Sequence, residues 1–252
     1  MARIIINGDD FGMNERCSRA IAEAFRKGLI TDTTAMMNGE WIDEALELAR
    51  ENGFDDRIGI HLNLTEGKPL TEKICRFSDF VADGSFNKQA MKLNRELTAA
   101  EEEAVYAELA EQIRRLEKAG IVITHADSHH YVHNSLYLLP VVKRVCKDRG
   151  IAKLRLRRDL CALDAVKAFD TAVYNVSLRE SGFITTEHFG RPEDIAGRDI
   201  PDGAELLVHP DYDRDGILID RRGIADGYPV GDALPDFGSH NDAELIDYSL
   251  WQ

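Results

Sequence analysis

Basic residues are scarce for a chain of this length. Its 252 residues include 31 Lys and Arg against 45 Asp and Glu, a formal charge of −14 with His neutral. A surface that acidic repels phosphate backbones, so nucleic acid is not an expected partner. Cysteine is sparse too: Cys17, Cys75, Cys146 and Cys161 stand far apart and form no CxxC pair. They read as reduced thiols of a cytosolic protein, and a structural zinc site built from them is not expected. No run approaches the ~18 apolar residues needed to cross a bilayer, so no membrane partner is expected either. The opening MARIIINGDDFG has neither an apolar h-region nor a small-residue cleavage site. That reads as no secretory signal and a cytoplasmic location. Absence of a GxGxxG, a Walker loop and a GxSxG weakens the dinucleotide, nucleotide and serine-hydrolase readings. What is present is ordinary globular composition, 44% hydrophobic and 30% charged, which excludes disorder and fibrous repeats.

Strand and helix patterns alternate along the chain. Strands are expected at Arg3–Asn7, Thr33–Met37, Arg57–Leu64, Ile121–Ala126, Ala152–Leu156, Phe183–Glu187 and Glu205–His209. Helices are expected at Glu15–Lys27, Trp41–Glu51, Ala99–Lys118, Leu136–Asp148 (with a possible kink at Pro140) and Leu160–Ser177. Residues 66–98 read as a long excursion, of the kind that is usually functional, and the tail from Asp211 reads as loop and edge. Repeated βα units require crossovers and hence a parallel sheet. About seven such units suit one α/β domain over 1–252, closed or nearly closed as a barrel, with an open doubly wound sheet as the other arrangement.

Chemistry-bearing residues gather at strand C-termini, the functional face of parallel α/β folds. Asp9 and Asp10 follow the first strand and repel each other unless something positive neutralises them. On an extended backbone they point opposite ways, so one would ligate a metal and the other stay free to accept a proton. Helix capping is the other use of such a pair, but Asn14 is better placed for that. Four of the eight histidines fall in residues 125–133, where His129 and His133 share a face in either regular conformation and His130 points elsewhere. Asp127 is spaced to fix an imidazole tautomer. His61 is either a core histidine or a ligand. One Asp with two His makes a triad with open positions, suited to Zn, Mn, Fe or Mg. His209, held extended by Pro210, is either a loop histidine or a general acid, an imidazolium near neutral pH. Arg155 either holds the free Asp ionised or is a solvated charge beside Arg157 and Arg158. Thr65 and His133 are candidate substrate-binding residues. Phe77, Phe80 and Phe86 either wall a substrate site or fill the core.

These residues also carry a likeness. NGDDFG (7–12), TTAMMNG (33–39), GIHLNLTEGKPL (59–70), THADSHHYVH (124–133) and LLVHP (206–210) resemble, in order, the YdjC-like carbohydrate deacetylases, the chitooligosaccharide deacetylase family. The resemblance implies a distorted (β/α) barrel related to NodB-type deacetylases and one divalent metal ion, Mg2+ or Zn2+. It also implies removal of acetyl from a small N-acetylated sugar such as acetylated chitobiose. Carried over by position, Asp10, His61 and His129 are the metal ligands, Asp9 the general base, Arg155 its orienting partner and His209 the general acid. The stretch KLRLRRD and the tail, including HNDAEL (240–245), depart furthest from the family pattern. A homodimer is compatible, since such barrels commonly pair. The competing readings are a metal phosphoesterase and a non-catalytic carbohydrate-binding protein on the same barrel.

Overall fold

A computed structural model describes residues 1–239 and 243–252, leaving His240, Asn241 and Asp242 of the HNDAEL stretch outside the described residues. The main sheet is parallel throughout and curls on itself. Its strands are β1 (Ala2–Phe11), β2 (Asp32–Ala35), β3 (Ile58–Leu62), β6 (Ala126–Ser128), β7 (His188–Gly190), β8 (Ala204–Val208) and β12 (Ala243–Leu245). They lie in the order β6-β3-β2-β1-β8-β7, with β12 beside β1 on the edge opposite β8. Outside this sheet lie a small hairpin, β4 (Val81–Ala82) with β5 (Ser85–Phe86), and an antiparallel ribbon of β9 (Pro210–Tyr212), β10 (Leu218–Ala225) and β11 (Tyr228–Ala233). Crossovers are made by α1 (Glu15–Arg26), α2 (Ile42–Asn52), α3 (Ala99–Lys118), α4 (Leu139–Asp148) and α5 (Ala165–Glu180).

Caps set the helix boundaries. Asn14 Oδ1 accepts from Cys17 N at 3.0 Å, Thr98 and Glu101 form a capping box, and Asp164 Oδ1 accepts from Lys167 N at 2.9 Å. The cap at Asp164 explains why α5 begins later than the apolar pattern suggests. Pro140 sits in the first turn of α4, where its missing N–H has no intrahelical partner to lose, so it starts the helix instead of kinking it.

Three expected strands are shorter or displaced. Of the stretch 121–126 only its end joins β6, residues 152–156 and 183–187 contribute single bridges (Ala126↔Leu154, Lys153↔Ile184), and β7 forms downstream. These bridges link the two edges of the curled sheet, so the wall is a distorted barrel and not an open doubly wound sheet. His125, Asp127 and Arg155 all lie in this weakly paired wall and are fully buried. Gly59 lets the wall close up, because a Cβ there would stand 2.6 Å from the His125 ring. The tail is the larger departure: it forms the antiparallel ribbon and then returns to pair with β1.

Strand β1 is buried on both faces, as a central parallel strand must be. Ile4 and Ile6 belong to the main apolar core, whereas Ile5 packs with Ile246, Tyr248 and Trp251. Asn7 and Asp9 continue the Ile5 face at a spacing of two. That face therefore runs from an apolar floor to a polar site. Phe80 and Phe86 are core residues and Phe77 packs against the same core.

Candidate active site

Asp9 and Asp10 lie within β1, and both turn toward the site. Asp10 has φ 72, and the β1–β2 register shifts between Gly8 and Phe11. A left-handed residue in a bulge breaks strict alternation, which is how two successive carboxylates converge. Asp tolerates this conformation better than most residues.

Asp10 Oδ1 is 3.2 Å from His61 Nε2 and 2.8 Å from His129 Nδ1. The three groups offer ligand atoms that all lie within 4.8 Å of one another. Each has a second partner that orients it. His61 Nδ1 meets Asp127 Oδ1 at 2.7 Å, His129 Nε2 meets Glu66 Oε2 at 3.1 Å, and Arg221 Nη2 donates to Asp10 Oδ2 at 2.7 Å. Metal-binding imidazoles and carboxylates are characteristically braced in this way. Burial disfavours a charged His61, but Asp127 and Asp10 outweigh it and push the imidazole up to about 10. Asp10 is held well below the usual carboxylate range because His129 and His61 override its burial. The cluster thus collects positive charge, as protons or as a cation. Two imidazoles and one carboxylate at a common point fit a divalent ion.

Arg155 is fully buried and faces three carboxylates. Its Nη1 and Nη2 donate to Asp9 Oδ2 and Oδ1, both at 2.8 Å, while Nε reaches Glu205 Oε1 at 2.7 Å and Nη1 lies 2.5 Å from Asp127 Oδ2. Its guanidinium overcomes the burial of Asp9 and keeps that carboxyl ionised. Asn7 Nδ2 also donates to Asp9 Oδ1, at 2.8 Å. Oδ1 is therefore saturated, and Oδ2 retains one free lone pair. A second possible cluster, Asp9–His61–Asp127, is already bridged by the same guanidinium.

The other expected residues divide. His209 N donates to Asp220 Oδ1 at 2.8 Å, and its Nδ1 is 4.0 Å from the same oxygen. Burial pushes its imidazole down to about 4, so it is neutral near pH 7 and not the imidazolium expected. Thr65 Oγ1 lies 3.0 Å from His130 Nδ1. His133 does not share a face with His129. Left-handed His130 (φ 52) and Tyr131 (φ 56) break the regular conformation, and the rings that approach are those of His129 and His130, 3.9 Å apart. His133 is wholly buried, with Nδ1 2.5 Å from Ser128 Oγ, so direct substrate contact would require the site to open. Asp127 braces His61 and not His129. Sequence reasoning missed Glu66, Asp220 and Arg221, which come from the excursion and the tail.

Fold and site together define a parallel (β/α) barrel protein with a buried, charge-braced Asp–His–His cluster beside an ionised aspartate. The chain belongs to the YdjC-like protein family, whose model matches residues 3–241. It is 34% identical over 216 residues to carbohydrate deacetylase 1 of Listeria innocua, covering 83% of this chain and 82% of that protein. It is 32% identical to a carbohydrate deacetylase of Listeria welshimeri at the same coverage. A solved structure from Enterococcus faecalis, described as a putative cellobiose-phosphate cleavage protein, superposes with a TM-score of 0.66 at 27% identity, covering 84% of this chain and 82% of that one. Among the described residues no helix is long and apolar enough to cross a membrane.

Proposed function

We propose that this protein is a metal-dependent carbohydrate deacetylase that hydrolyses the acetamido group of small N-acetylated sugars, with acetylated chitooligosaccharides as the substrate class. The observation that carries the reading is the meeting of Asp10, His61 and His129 at one point, next to an aspartate kept ionised by Arg155. The relatives named as carbohydrate deacetylases support it. Two imidazole donors favour Zn2+ over Mg2+, which prefers oxygen ligands.

A divalent ion held by Asp10, His61 and His129 would polarise the amide carbonyl and acidify the attacking water. Asp9 Oδ2, the oxygen with a lone pair to spare, takes the water proton. Arg155 fixes the direction of that lone pair. The proton that Asp9 takes from water passes to neutral His209, which delivers it to the leaving nitrogen, and the carboxylates of Asp10 and Asp9 stabilise the imidazolium in between. The products are acetate and a free amino sugar. A phosphoesterase reading is weaker, because the guanidinium already fills the Asp9–His61–Asp127 place where a second cation would share His61.

The test is acetate release from N-acetylated mono- and disaccharides, with and without chelator. The wild-type protein should release acetate and lose that activity on chelation. Asp9→Asn should lower kcat by about 10²–10⁴-fold while metal affinity, read by calorimetry, stays unchanged. Normal turnover in Asp9→Asn removes Asp9 as the base, and sugar binding without product favours a binding protein.

A further inference from the structure

Below the site, the chain returns to the barrel floor after β12. Ile246 N donates to Ile4 O at 3.0 Å, and Trp251 Nε1 donates to Thr185 O at 2.9 Å. Between these anchors Tyr248 is driven into the interior and is 1% exposed. Its ring stacks on His125, with centroids 3.8 Å apart and planes 16° from parallel. Its backbone N donates to Asp32 Oδ1 at 3.2 Å, and Lys153 Nζ donates to its carbonyl. Packing alone would be served as well by Phe. The hydroxyl does something more: it donates to Glu205 Oε2 at 2.7 Å.

Glu205 passes the contact on. Its other oxygen accepts from Arg155 Nε at 2.7 Å, and Arg155 holds both oxygens of Asp9 at 2.8 Å. Tyr248, Glu205 and Arg155 are each fully or almost fully buried, so water cannot replace a lost link. Burial already pushes the Glu205 carboxyl up, and the Tyr248 hydroxyl is one of the groups holding it down. Without that donor, Glu205 Oε2 is left bare in the interior. The guanidinium is shared among Asp9, Asp127 and Glu205, so a change at Glu205 alters its angle toward Asp9.

We propose that Tyr248 is a positioning residue for Asp9, acting through Glu205 and Arg155. Its hydroxyl governs the rate of the chemical step, not the binding of metal or sugar. The proposal rests on the deacetylase reading above. It makes the floor of the barrel part of the catalytic apparatus, although Tyr248 touches neither ligand nor substrate.

The experiment compares wild type with Tyr248→Phe, Glu205→Gln and the double variant. Tyr248→Phe keeps the stacked ring, and circular dichroism verifies that it folds. Expected are a kcat reduced by about tenfold or more, a KM within twofold and an unchanged metal Kd, since small misplacements of a reacting group are costly. Glu205→Gln should give a similar loss, and the double variant should lose no more than the worse single change, because both act on one line. An unchanged kcat in Tyr248→Phe, or losses that multiply in the double variant, overturns the proposal. A parallel crystal structure of Tyr248→Phe separates this failure from failure of the deacetylase reading. The Arg155–Asp9 pair should lose its two-pronged geometry even if wild type releases no acetate. Both contacts kept at wild-type length overturn the proposal whatever the substrate.

Discussion

Arg221 reaches from β10 to the outer oxygen of Asp10, and Asp211 lies 3.4 Å from its other terminal nitrogen. It leaves Oδ1 as the oxygen facing His61 and His129. Arg221→Met should therefore weaken Zn2+ binding by about 10–100-fold, measured by calorimetry on the metal-free protein. An unchanged affinity would show that Asp10 is oriented by its backbone alone. The inner residues of this cluster were legible in the sequence because strand ends announce themselves: Asp9, Asp10, His61 and Arg155 each close or follow an apolar run, and His129 follows at a short distance. Their braces were not. Glu66 and Arg221 stand in segments without apolar rhythm and meet partners 63 and 211 residues away. The convergence of both aspartates was hidden for another reason, since alternation predicts divergence and only the positive φ of Asp10 reverses it.

At the scale of elements, the start of the excursion between β3 and α3 is held by a buried carboxylate. Glu108 on α3 accepts from Leu70 N, Thr71 N, Thr71 Oγ1 and Gln112 Nε2 at 2.7–3.1 Å. Asn38 and Asn63 hold the Glu66 carbonyl at 2.9 and 2.7 Å, which delivers the Glu66 side chain to His129. Glu108→Ala strands two backbone donors and should cost about 2–3 kcal/mol in urea unfolding, with Glu108→Gln milder. An unchanged midpoint for Glu108→Ala would mean that water takes its place. Helices were the easiest elements to read, because Asn14 caps the start of α1 and Gly53, left-handed at φ 69, closes α2. The ribbon went unread, although Asp226–Gly227, with φ 50 and 80, forms the two-residue turn that an Asp-Gly pair favours, flanked by Ile224 and Val230. The surrounding Gly, Asp and Pro masked it. The wall around residues 121–125, 152–156 and 183–187 was over-read, since apolar runs there adjoin buried His125, Asp127 and Arg155.

Across the whole molecule, the floor stores a carboxylic acid. Burial pushes Asp32 up to about 8, so the folded protein keeps its proton at neutral pH. The unfolded chain releases that proton near pH ~4. The unfolded state therefore binds fewer protons between about pH 4 and pH 8, and the contribution of Asp32 to stability falls as pH rises through that window. Asp32→Asn keeps an acceptor for Tyr248 N and removes the titration. Its Tm should exceed that of wild type by on the order of 5 °C at pH 8.5, with the gap closing toward pH 5. A gap independent of pH would mean that Asp32 titrates normally.

Strand β1 is flanked by β8 and β12, both drawn from the last fifty residues. A ribosome releases Asp10, His61 and His129 long before it releases the neighbours that seat β1. The nascent polypeptide thus exposes a set of chelating groups while its central strand still lacks two of its three partners. Early capture of a cation would tie those groups together in advance of the sheet, and late capture would require the finished barrel to admit it.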